Sequence, residues 1–527
     1  MKKSRKTPDP RNLRLSLEQQ LSASFSKRSE DQIKNHQKAK NHALLEHRRR
    51  KNRDISYHES FSFEEPELWS RDKLHNPFFV RSRRRQLAHS TAVAIRKRDY
   101  HPTSPERFSI PKSNGMSREV VAFNIVDESI RHYLLRSITK KNLQRLSAHS
   151  YAYLPDRGPF DALTWIKSEW SGRNRLFIAE FDFKNYFSSI EHSTLLRTIK
   201  DAELLLTPTE EFLITQFLRS MEPRTGRGIL QGTSLSVLLA NVAALKLDRG
   251  FERIGVGYAR YADDTVLWSP DYSKITEATD LLFSNARAIG AEVNHSKSPG
   301  IQLLVKEPNQ AAEIVSTTKV EFLGHSIGTC GARLSNRSID RIKEHIASLL
   351  YGTLLREPLR QTLNPNRLGS LDRDYVSFIW QLRSYIYGNL SENQLRRLGS
   401  GIVPKEKTFH GIASFYPLAD DGSQWEDLDH WLSHLIRTSL AKRLKLLQSH
   451  ASAREPYASA RELEPYISLS SQNLNALSNL KHRASNGQVI DLRIPSFRRA
   501  NAVVTSAVKQ NGFGVLGKGA GKYLYSL

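Results

Sequence analysis

The chain has 527 residues, of which 79 are Lys or Arg and 54 are Asp or Glu, giving a formal net charge of +25 at pH 7. This length leaves room for roughly two to four domains, and a balance this basic favours a polyanionic partner, with nucleic acid the leading class. No apolar run approaches the roughly 18 residues that a spanning helix needs, and we find no secretory signal. We therefore expect a soluble, cytoplasmic protein without a membrane partner.

Cysteine usage limits the kinds of site that the chain can form. Cys330 is its only cysteine, which excludes internal disulfides and every zinc site built on paired cysteines. A divalent metal, if one is bound, must sit on oxygen ligands.

The sequence divides into four predicted regions. Residues 1–60 form a basic N-terminal arm, either a solvated tail or a helix that orders on a phosphate backbone. Apolar strands and helices alternate over residues 61–331, as in an α+β or α/β domain. Residues 332–450 show helical spacing, for example at Ile339, Ile342, Ile346, Leu349, Leu350, Phe378, Leu382, Tyr385, Ile386 and from Trp425 to Leu447. Residues 451–527 form a basic C-terminal extension that is Ser-rich and then Gly-rich.

The first chemical motif is the apolar run over residues 176–190, which predicts a β-strand with Asp182 at its end. An Asp in that position is most often a helix cap. A strand-end acid is also a ligand of the kind that Mg²⁺ prefers, and acids from two neighbouring strands can assemble a site for phosphoryl transfer.

The second motif covers residues 228–241, where Gly228 and Gly232 precede an Ala- and Leu-rich stretch that continues to Asp248. The pattern predicts a Gly turn that opens a long helix. Such a turn lets backbone approach a nucleotide or a template base closely, although a capped core helix gives the same pattern.

The third motif, over residues 257–268, places aromatic and β-branched residues on both sides of Asp263 and Asp264. It predicts a hairpin with two acids at its tip. Adjacent carboxylates repel each other, so a bound cation would stabilise them. By itself the pair is equally typical of an ordinary turn.

Taken in order, these segments resemble the palm motifs of reverse transcriptases, above all bacterial ones. Asn294–Lys297 is similar to the fourth palm motif, and Glu321–His325 resembles the primer-grip segment. Upstream, residues 110–118 and 152–158 are similar to the fingers motifs of the group-II-intron-like branch. The resemblance implies an α+β right-hand polymerase fold, with fingers and palm over 61–331 and an α-helical thumb over 332–450.

The same resemblance implies roles for individual residues. Asp182, Asp263 and Asp264 would catalyse the reaction and bind two Mg²⁺ ions, with Mn²⁺ as the alternative. Phe183 would also lie beside the metal. Lys297 would take part in catalysis by donating a proton to the leaving pyrophosphate. The nucleotide-binding set it implies is Lys112, Arg118, Phe183, Tyr186, Gln231 and Gly232, where Tyr186 would exclude a 2′-hydroxyl and so favour deoxynucleotides. The implied primer grip is Phe322, Leu323 and Gly324.

Departures from the family pattern indicate which group of reverse transcriptases the chain resembles most. Leu230 and Val237 occupy positions that are usually Pro in intron and retron enzymes, and we find no retron signature and no Cys/His endonuclease module. The chain therefore resembles the unknown-group, defence-associated bacterial reverse transcriptases. That likeness implies an RNA-directed DNA polymerase that acts with a noncoding RNA against phage, uses deoxynucleoside triphosphates and releases a DNA product. A retron- or intron-type enzyme and a catalytically silent RNA-binding scaffold are the alternatives, and homo-oligomerisation is left open.

Two further expectations concern aromatic residues. Tyr351, Tyr375, Tyr385 and Tyr387 either stack on bases or pack in a helical core, with core packing favoured. Some relatives attach the first nucleotide to a protein hydroxyl, which makes Tyr523 and Tyr525 candidates for such priming.

Overall fold

A computed structural model describes residues 16–111, 117–221, 225–307, 314–368, 372–388, 390–403, 408–451, 481–483 and 489–517. Lys112, Tyr523 and Tyr525 fall outside these residues, as does the side chain of Arg118. None of the helices within the described ranges is long and apolar enough to cross a membrane.

The helices of the first half are α1 (Leu17–Arg53), α2 (Glu67–Arg71), α3 (Pro77–Ser82), α4 (Arg84–Arg96), α5 (Ile125–Asn142), α6 (Pro159–Trp170), α7 (Tyr186–Ser189), α8 (His192–Asp201), α9 (Pro208–Met221), α10 (Ser234–Ala243) and α11 (Leu245–Ile254). Those of the second half are α12 (Tyr272–Ile289), α13 (Asn336–Leu350), α14 (Arg356–Arg360), α15 (Arg373–Tyr387), α16 (Glu392–Gly399), α17 (Gly422–Ala451) and α18 (Phe497–Asn511). A π-helical turn at Tyr351–Leu355 joins α13 to α14.

The strands are β1 (Glu106–Pro111), β2 (Ser117–Ala122), β3 (Arg175–Phe181), β4 (Phe183–Lys184), β5 (Gly257–Tyr261), β6 (Asp264–Ser269), β7 (Glu292–Val293), β8 (Gly300–Val305), β9 (Ser316–Thr317), β10 (Val320–Phe322), β11 (His325–Gly328), β12 (Gly331–Leu334), β13 (Lys481–Arg483) and β14 (Val489–Asp491). Strands β1 and β2 form a hairpin, and β10, β11 and β12 form a three-stranded antiparallel sheet.

A five-stranded sheet with the order β5-β6-β3-β8-β9 lies at the centre of the molecule. Its pairs are antiparallel except for β8 and β9. Apolar side chains alternate between its two faces, because successive residues of a strand point to opposite sides. Ile178, Val266 and Trp268 pack on one face against α6, the β10–β12 sheet and the helical region. Phe177, Phe181 and Leu267 pack on the other, against a core that includes α5, α10 and α12.

Residues 336–451 are mainly helical, and α13, α15 and α17 contain the apolar positions from which helices were predicted. The helix after the Gly turn is shorter than predicted. Helix α10 ends at Ala243 and α11 begins at Leu245, with Ala244 between them as cap. Because of this break, Asp248 belongs to a separate helix that packs against β5.

Helix α1 joins two distant parts of the fold. Its Leu21 and Phe25 are buried in the core formed with α3, α4 and α5. At its other end the Nε of Arg53 donates to Asp374 of α15 at 3.1 Å. That carboxylate belongs to a buried charged cluster, the Arg–Asp cluster, which consists of Arg53, Arg367, Asp372, Asp374 and Arg443.

Candidate active site

The acids predicted to bind metal lie at one end of the central sheet. In the pairing of β3 with β6, Phe181 is opposite Thr265. Extending this register by one residue places Asp182 opposite Asp264, and directly opposite residues of an antiparallel pair point to the same face. Asp182 and Asp264 therefore share a sheet face, and Asp263 lies in the turn beside them.

The turn between β5 and β6 is tight and strained. Tyr261 pairs with Asp264, so only Ala262 and Asp263 form the loop. Ala262 has a φ of 58°, a left-handed conformation that is costly for a residue with a Cβ. The predicted hairpin with acids at its tip is confirmed, and its backbone is held in a conformation that needs support from neighbouring groups.

That support comes from Arg260, which is buried on the opposite face of the sheet. Its Nη1 donates to the carbonyl oxygen of Ala262 at 3.0 Å. Its Nε and Nη2 donate to the two carboxylate oxygens of Asp248 at 2.8 and 2.6 Å. Burial alone would lower the pKa of the Arg260 guanidinium, but the adjacent Asp248 carboxylate outweighs it and the pKa is raised. Arg260 is thus a fixed cation that holds the turn carrying Asp263.

The Arg260 network also includes the two residues that precede the predicted fingers motif at 152–158. Nη2 of Arg260 donates to Ser150 at 2.8 Å, and the amide of Tyr151 donates to the Arg260 carbonyl at 2.9 Å. Asn241 of α10 donates from Nδ2 to the carbonyl of Ala152 at 2.8 Å. The Nη1 of Arg260 also donates to Asn241 Oδ1 at 3.3 Å, so Asn241 links the guanidinium to the start of the predicted fingers motif at Ala152. We did not identify Arg260 or Asp248 from the sequence.

Negative charge is concentrated on the acid-bearing face of the sheet. Glu180 precedes Asp182 by two residues and so points to the same face. Burial raises the pKa of the Glu180 carboxyl to about 7, and repulsion from Glu321 and Asp264 adds to the shift. A cation bound beside Asp264 would relieve this repulsion.

Asp182 is held by the predicted fourth motif. One carboxylate oxygen, Oδ2, accepts a hydrogen bond from Asn294 Nδ2 at 2.9 Å and lies 3.0 Å from Nζ of Lys297. The amide of Asn294 donates to the Asp182 carbonyl at 2.8 Å. The lysine side chain is 64% exposed, so it can leave the carboxylate without disturbing the core.

The donor set suits a hard cation such as Mg²⁺, since it consists of carboxylates at the ends of adjacent strands. The acid repulsion at Glu180 also fits a bound cation. Among the described residues, however, no group of three or more His, Cys, Asp or Glu side chains is already arranged to hold a metal. Lys297 instead neutralises Asp182 at 3.0 Å, so metal binding at Asp182 requires this ion pair to open.

The predicted nucleotide pocket is built against β2. The carbonyl of Gln231 accepts from the amide of Val121 at 3.0 Å. Gly232 has a φ of 108°, and a Cβ placed there would lie 2.7 Å from the Val120 side chain and 2.7 Å from the Val121 carbonyl oxygen. Only glycine fits this turn, after which Thr233 caps α10 through the amide of Ser236. Arg118 lies in β2, paired with Ile110.

The two predicted aromatic residues are deeply placed. Phe183 and Tyr186 are buried, with ring centroids 5.4 Å apart. The hydroxyl of Tyr186 donates to the carbonyl of Ala240 in α10 at 2.9 Å. Burial raises the pKa of the Tyr186 phenol. Since the Phe183 side chain contains no oxygen, only its backbone carbonyl is available as a metal ligand.

The predicted primer grip is a second tight hairpin. Leu323 and Gly324 form a two-residue turn between β10 and β11, with φ values of 50° and 76°. Positive φ at both positions is the signature of a type I′ turn. Phe322 and Leu323 are buried on the acid-bearing side of the sheet, in the core shared with the helical region.

Of the tyrosines considered for base stacking, only Tyr351 has a largely exposed side chain. Tyr375 and Tyr387 are buried in the helical core, and Tyr385 stacks on His345 with ring centroids 4.3 Å apart. These positions agree with core packing for three of the four.

The order and geometry of these motifs agree with a comparison against protein families. Residues 110–327 match the family model described as "Reverse transcriptase (RNA-dependent DNA polymerase)". The matched stretch includes both acid-bearing hairpin strands, β3 and the predicted primer grip. Over these residues the chain therefore matches a reverse-transcriptase domain, and the α+β right-hand polymerase fold predicted from the sequence, with an antiparallel sheet flanked by helices, is confirmed.

Among curated proteins, the chain is 25% identical to Protein YkfC of Escherichia coli (strain K12) over 169 residues. The similarity covers 31% of this chain and 44% of that protein, so the chain spans less than half of the relative's length.

Telomerases are among the solved structures similar to this chain. Apo telomerase from Candida tropicalis is 11% identical, with a TM-score of 0.34 over 80% of this chain and 64% of that one. Telomerase from Candida albicans, in complex with a fragment of telomeric RNA, is 12% identical, with a TM-score of 0.34 over 74% and 66% of the respective chains.

Proposed function

We propose that the protein is an RNA-directed DNA polymerase that adds deoxynucleotides to a 3′-hydroxyl. The observation that carries the proposal is the placement of Asp182, Asp263 and Asp264 at one sheet end, within a domain that matches reverse transcriptases. Two Mg²⁺ ions held there would activate the 3′-hydroxyl and neutralise charge on the triphosphate.

The chain's own residues then have separable tasks. Asp182, Asp263 and Asp264 would hold the Mg²⁺ ions, whose positive charge would attract the triphosphate to the sheet end, while Arg260 fixes the turn. The 3′-hydroxyl gives its proton to solvent water, and its oxygen forms a bond to the α-phosphorus as the bond from that phosphorus to the pyrophosphate oxygen breaks. Lys297, once released from Asp182, lies where it can donate a proton to that pyrophosphate.

Nucleotide selection falls to the pocket between β2 and α10. Gln231 and Gly232 form its floor, Lys112 and Arg118 bind phosphate, and Phe183 and Tyr186 limit the space at the sugar. Because Tyr186 is buried and bonded to the Ala240 carbonyl, it would act by supporting the pocket wall. Phe322, Leu323 and Gly324 would hold the primer end.

In its biology, we infer a cytoplasmic enzyme that works with a noncoding RNA in antiphage defence. This part rests on the sequence resemblance to the unknown-group reverse transcriptases. Sequencing the RNA and DNA that co-purify with the protein distinguishes this role from that of a retron- or intron-type enzyme.

The test of polymerase function is primer extension on an RNA template with Mg²⁺ and labelled deoxynucleotides. The wild type should incorporate label, and Asp263→Asn should abolish incorporation. Asp271→Asn is the matched control, because Asp271 is an exposed N-cap of α12 and Asn caps helices equally well. Template binding without incorporation by the wild type would instead identify a silent RNA-binding scaffold. Incorporation by Asp263→Asn would refute the metal role.

A further inference from the structure

Helix α1 is anchored at both ends by different parts of the molecule. Near its start, Phe25 is buried and Arg28 lies 3.6 Å from Glu128 of α5. At its end, Arg53 bonds to Asp374, and Asp54 forms a β-bridge with Leu363. A rise of about 1.5 Å per residue separates Phe25 from Arg53 by about 42 Å. The helix therefore spans the distance between the core beside β1–β2 and the helical region.

One side of this span is covered by the segment that follows it. The His36 ring lies 4.8 Å from that of Trp69, and the His47 ring lies 5.5 Å from that of Phe61. At 3.6 residues per turn, the opposite side of the helix between Ile33 and Asn52 carries four exposed cations within a sector of about 100°. They are Lys34, Lys38, Arg48 and Arg49, and we call them the basic face of α1.

The basic face has the charge and length to follow a nucleic-acid backbone. It extends over about 22 Å, along which a duplex presents roughly 13 phosphates at one charge per 1.7 Å. The only acid between Ile33 and Asn52 is Glu46, which pairs with Arg49. Because both ends are anchored, the cations are presented with little ordering cost on binding.

A membrane surface fits this helix less well. Helices that lie on membranes have a broad apolar face opposite their cations. Among the described residues of this span, Leu45 is the exposed large apolar side chain. The side opposite the cations is covered by Trp69 and Phe61.

We infer that the basic face of α1 binds the phosphate backbone of the template–product duplex. The identity of that duplex rests on the proposed function, but the contact itself requires no catalysis. Anchored between the two regions, the helix would hold a duplex against the protein as it leaves the sheet end.

The test replaces the four cations together, as Lys34→Gln, Lys38→Gln, Arg48→Gln and Arg49→Gln. Glutamine keeps helix propensity and removes only charge. The matched control removes four exposed cations from α11 and α12, as Arg249→Gln, Arg253→Gln, Lys274→Gln and Arg287→Gln. Equal circular dichroism and unfolding temperatures establish that both variants fold.

Fluorescence anisotropy then gives the affinity for a labelled RNA–DNA duplex over a salt series, without Mg²⁺ or nucleotides. The slope of log K against log salt should become shallower by about 3 to 4 in the basic-face variant, at about 0.9 per phosphate contact. The control should change by less than about 1. An unchanged slope in the basic-face variant, or an equal change in the control, overturns the inference.

Two further measurements distinguish a failure of this inference from a failure of the proposed function. Asp263→Asn should keep the full salt slope, so a wild type that binds with this slope but does not synthesise DNA would refute only the proposed function. Flotation with vesicles containing phosphatidylserine tests the membrane alternative. Loss of vesicle binding in the basic-face variant, with an unchanged duplex slope, would replace nucleic acid by a membrane as the partner.

Discussion

The guanidinium of Arg260 and the carboxylate of Asp248 form two hydrogen bonds of 2.8 and 2.6 Å, and both side chains are only 1% exposed. Because Nε and Nη2 of Arg260 bond to Asp248, the remaining nitrogen, Nη1, is oriented to donate to the carbonyl of Ala262, one residue before Asp263. Planar, bidentate pairing of this kind fixes orientation as well as charge. The acid-bearing turn is thus positioned from the far side of the sheet.

Arg260→Lys should lower kcat for primer extension by at least about tenfold, equivalent to about 1.4 kcal/mol, with a smaller change in the nucleotide KM. A lysine cannot donate to Asp248, Ser150 and Ala262 in the same fork geometry. Steady-state kinetics of the folded variant measure the effect.

Arg443→Lys is the matched control for this prediction. Arg443 is also 1% exposed, bonds to Asp372 at 2.8 Å and to Asp374 at 3.1 Å, and donates to the Leu354 carbonyl. Disturbing either buried pair should cost up to about 3 to 5 kcal/mol of stability. An equal loss of kcat in both variants would mean that general destabilisation, rather than positioning of the turn, explains the effect of Arg260→Lys.

Gly232→Ala should destabilise the protein by about 1 to 3 kcal/mol and raise the KM for deoxynucleotides, because the new Cβ collides with Val120 and Val121. Gly172→Ala is the control, since Gly172 also has a positive φ, of 73°, but nothing lies within 4 Å of the added Cβ. This variant should be destabilised only by the backbone strain and should keep the wild-type KM for deoxynucleotides. Thermal unfolding and nucleotide titration of both variants provide the comparison.

Tyr186→Ala should admit ribonucleotides, because it removes the ring expected to limit space at the sugar. The variant also leaves a cavity that costs about 3 to 5 kcal/mol, so kinetics must be measured below its unfolding temperature. Tyr186→Phe keeps the ring and loses only the bond to the Ala240 carbonyl, worth about 1 kcal/mol, and should keep the preference for deoxynucleotides. The measurement is the ratio of kcat/KM for deoxynucleotides to that for ribonucleotides. An unchanged ratio in Tyr186→Ala argues against the steric role of Tyr186.

Acid should destabilise the fold through His325, which follows the predicted primer-grip turn. Burial, together with the nearby charge of Lys167, lowers the pKa of this histidine from 6.5 to about 4. The unfolded chain takes up the proton near pH 6.5 and the folded chain only near pH 4, so stability is lost as pH falls between these values.

The full loss amounts to roughly 3 kcal/mol, at about 1.4 kcal/mol per pKa unit. His325→Phe removes the titrating group and keeps a ring beside Tyr416, whose centroid lies 5.6 Å away. The decrease in unfolding temperature from about pH 7.5 to about pH 5 should therefore be smaller in the variant. The same decrease in both proteins would contradict the assignment.

Parts of the site with local sequence signals were predictable. The strand before Asp182 and the hairpin around Asp263 follow from alternating apolar residues and a turn-forming pair, which are properties of neighbouring residues. The break at Ala244 was not predicted, because an Ala- and Leu-rich stretch has no residue that ends a helix.

Arg260 and Asp248 have no comparable signal. An Arg in a strand and an Asp in a helix resemble surface charges until packing brings them together, and exposed charges are the usual case. The one local hint is that Arg260 stands between apolar neighbours, Ala259 and Tyr261. The sequence did not favour burial of Tyr186 for a related reason. Its neighbours Phe183 and Phe187 are equally typical of a binding pocket and of a hydrophobic core.

The bond between Arg53 and Asp374 joins residues 321 positions apart. At a translation rate of about 5 to 20 residues per second, Asp374 is made roughly 15 to 65 s after Arg53. During most of that interval α1 can dock by Leu21 and Phe25 while both acceptors of Arg53, the Gly352 carbonyl and the Asp374 carboxylate, have yet to be made. The two ends of α1 are therefore fixed at different times during synthesis, and the order of the chain decides which end is fixed first.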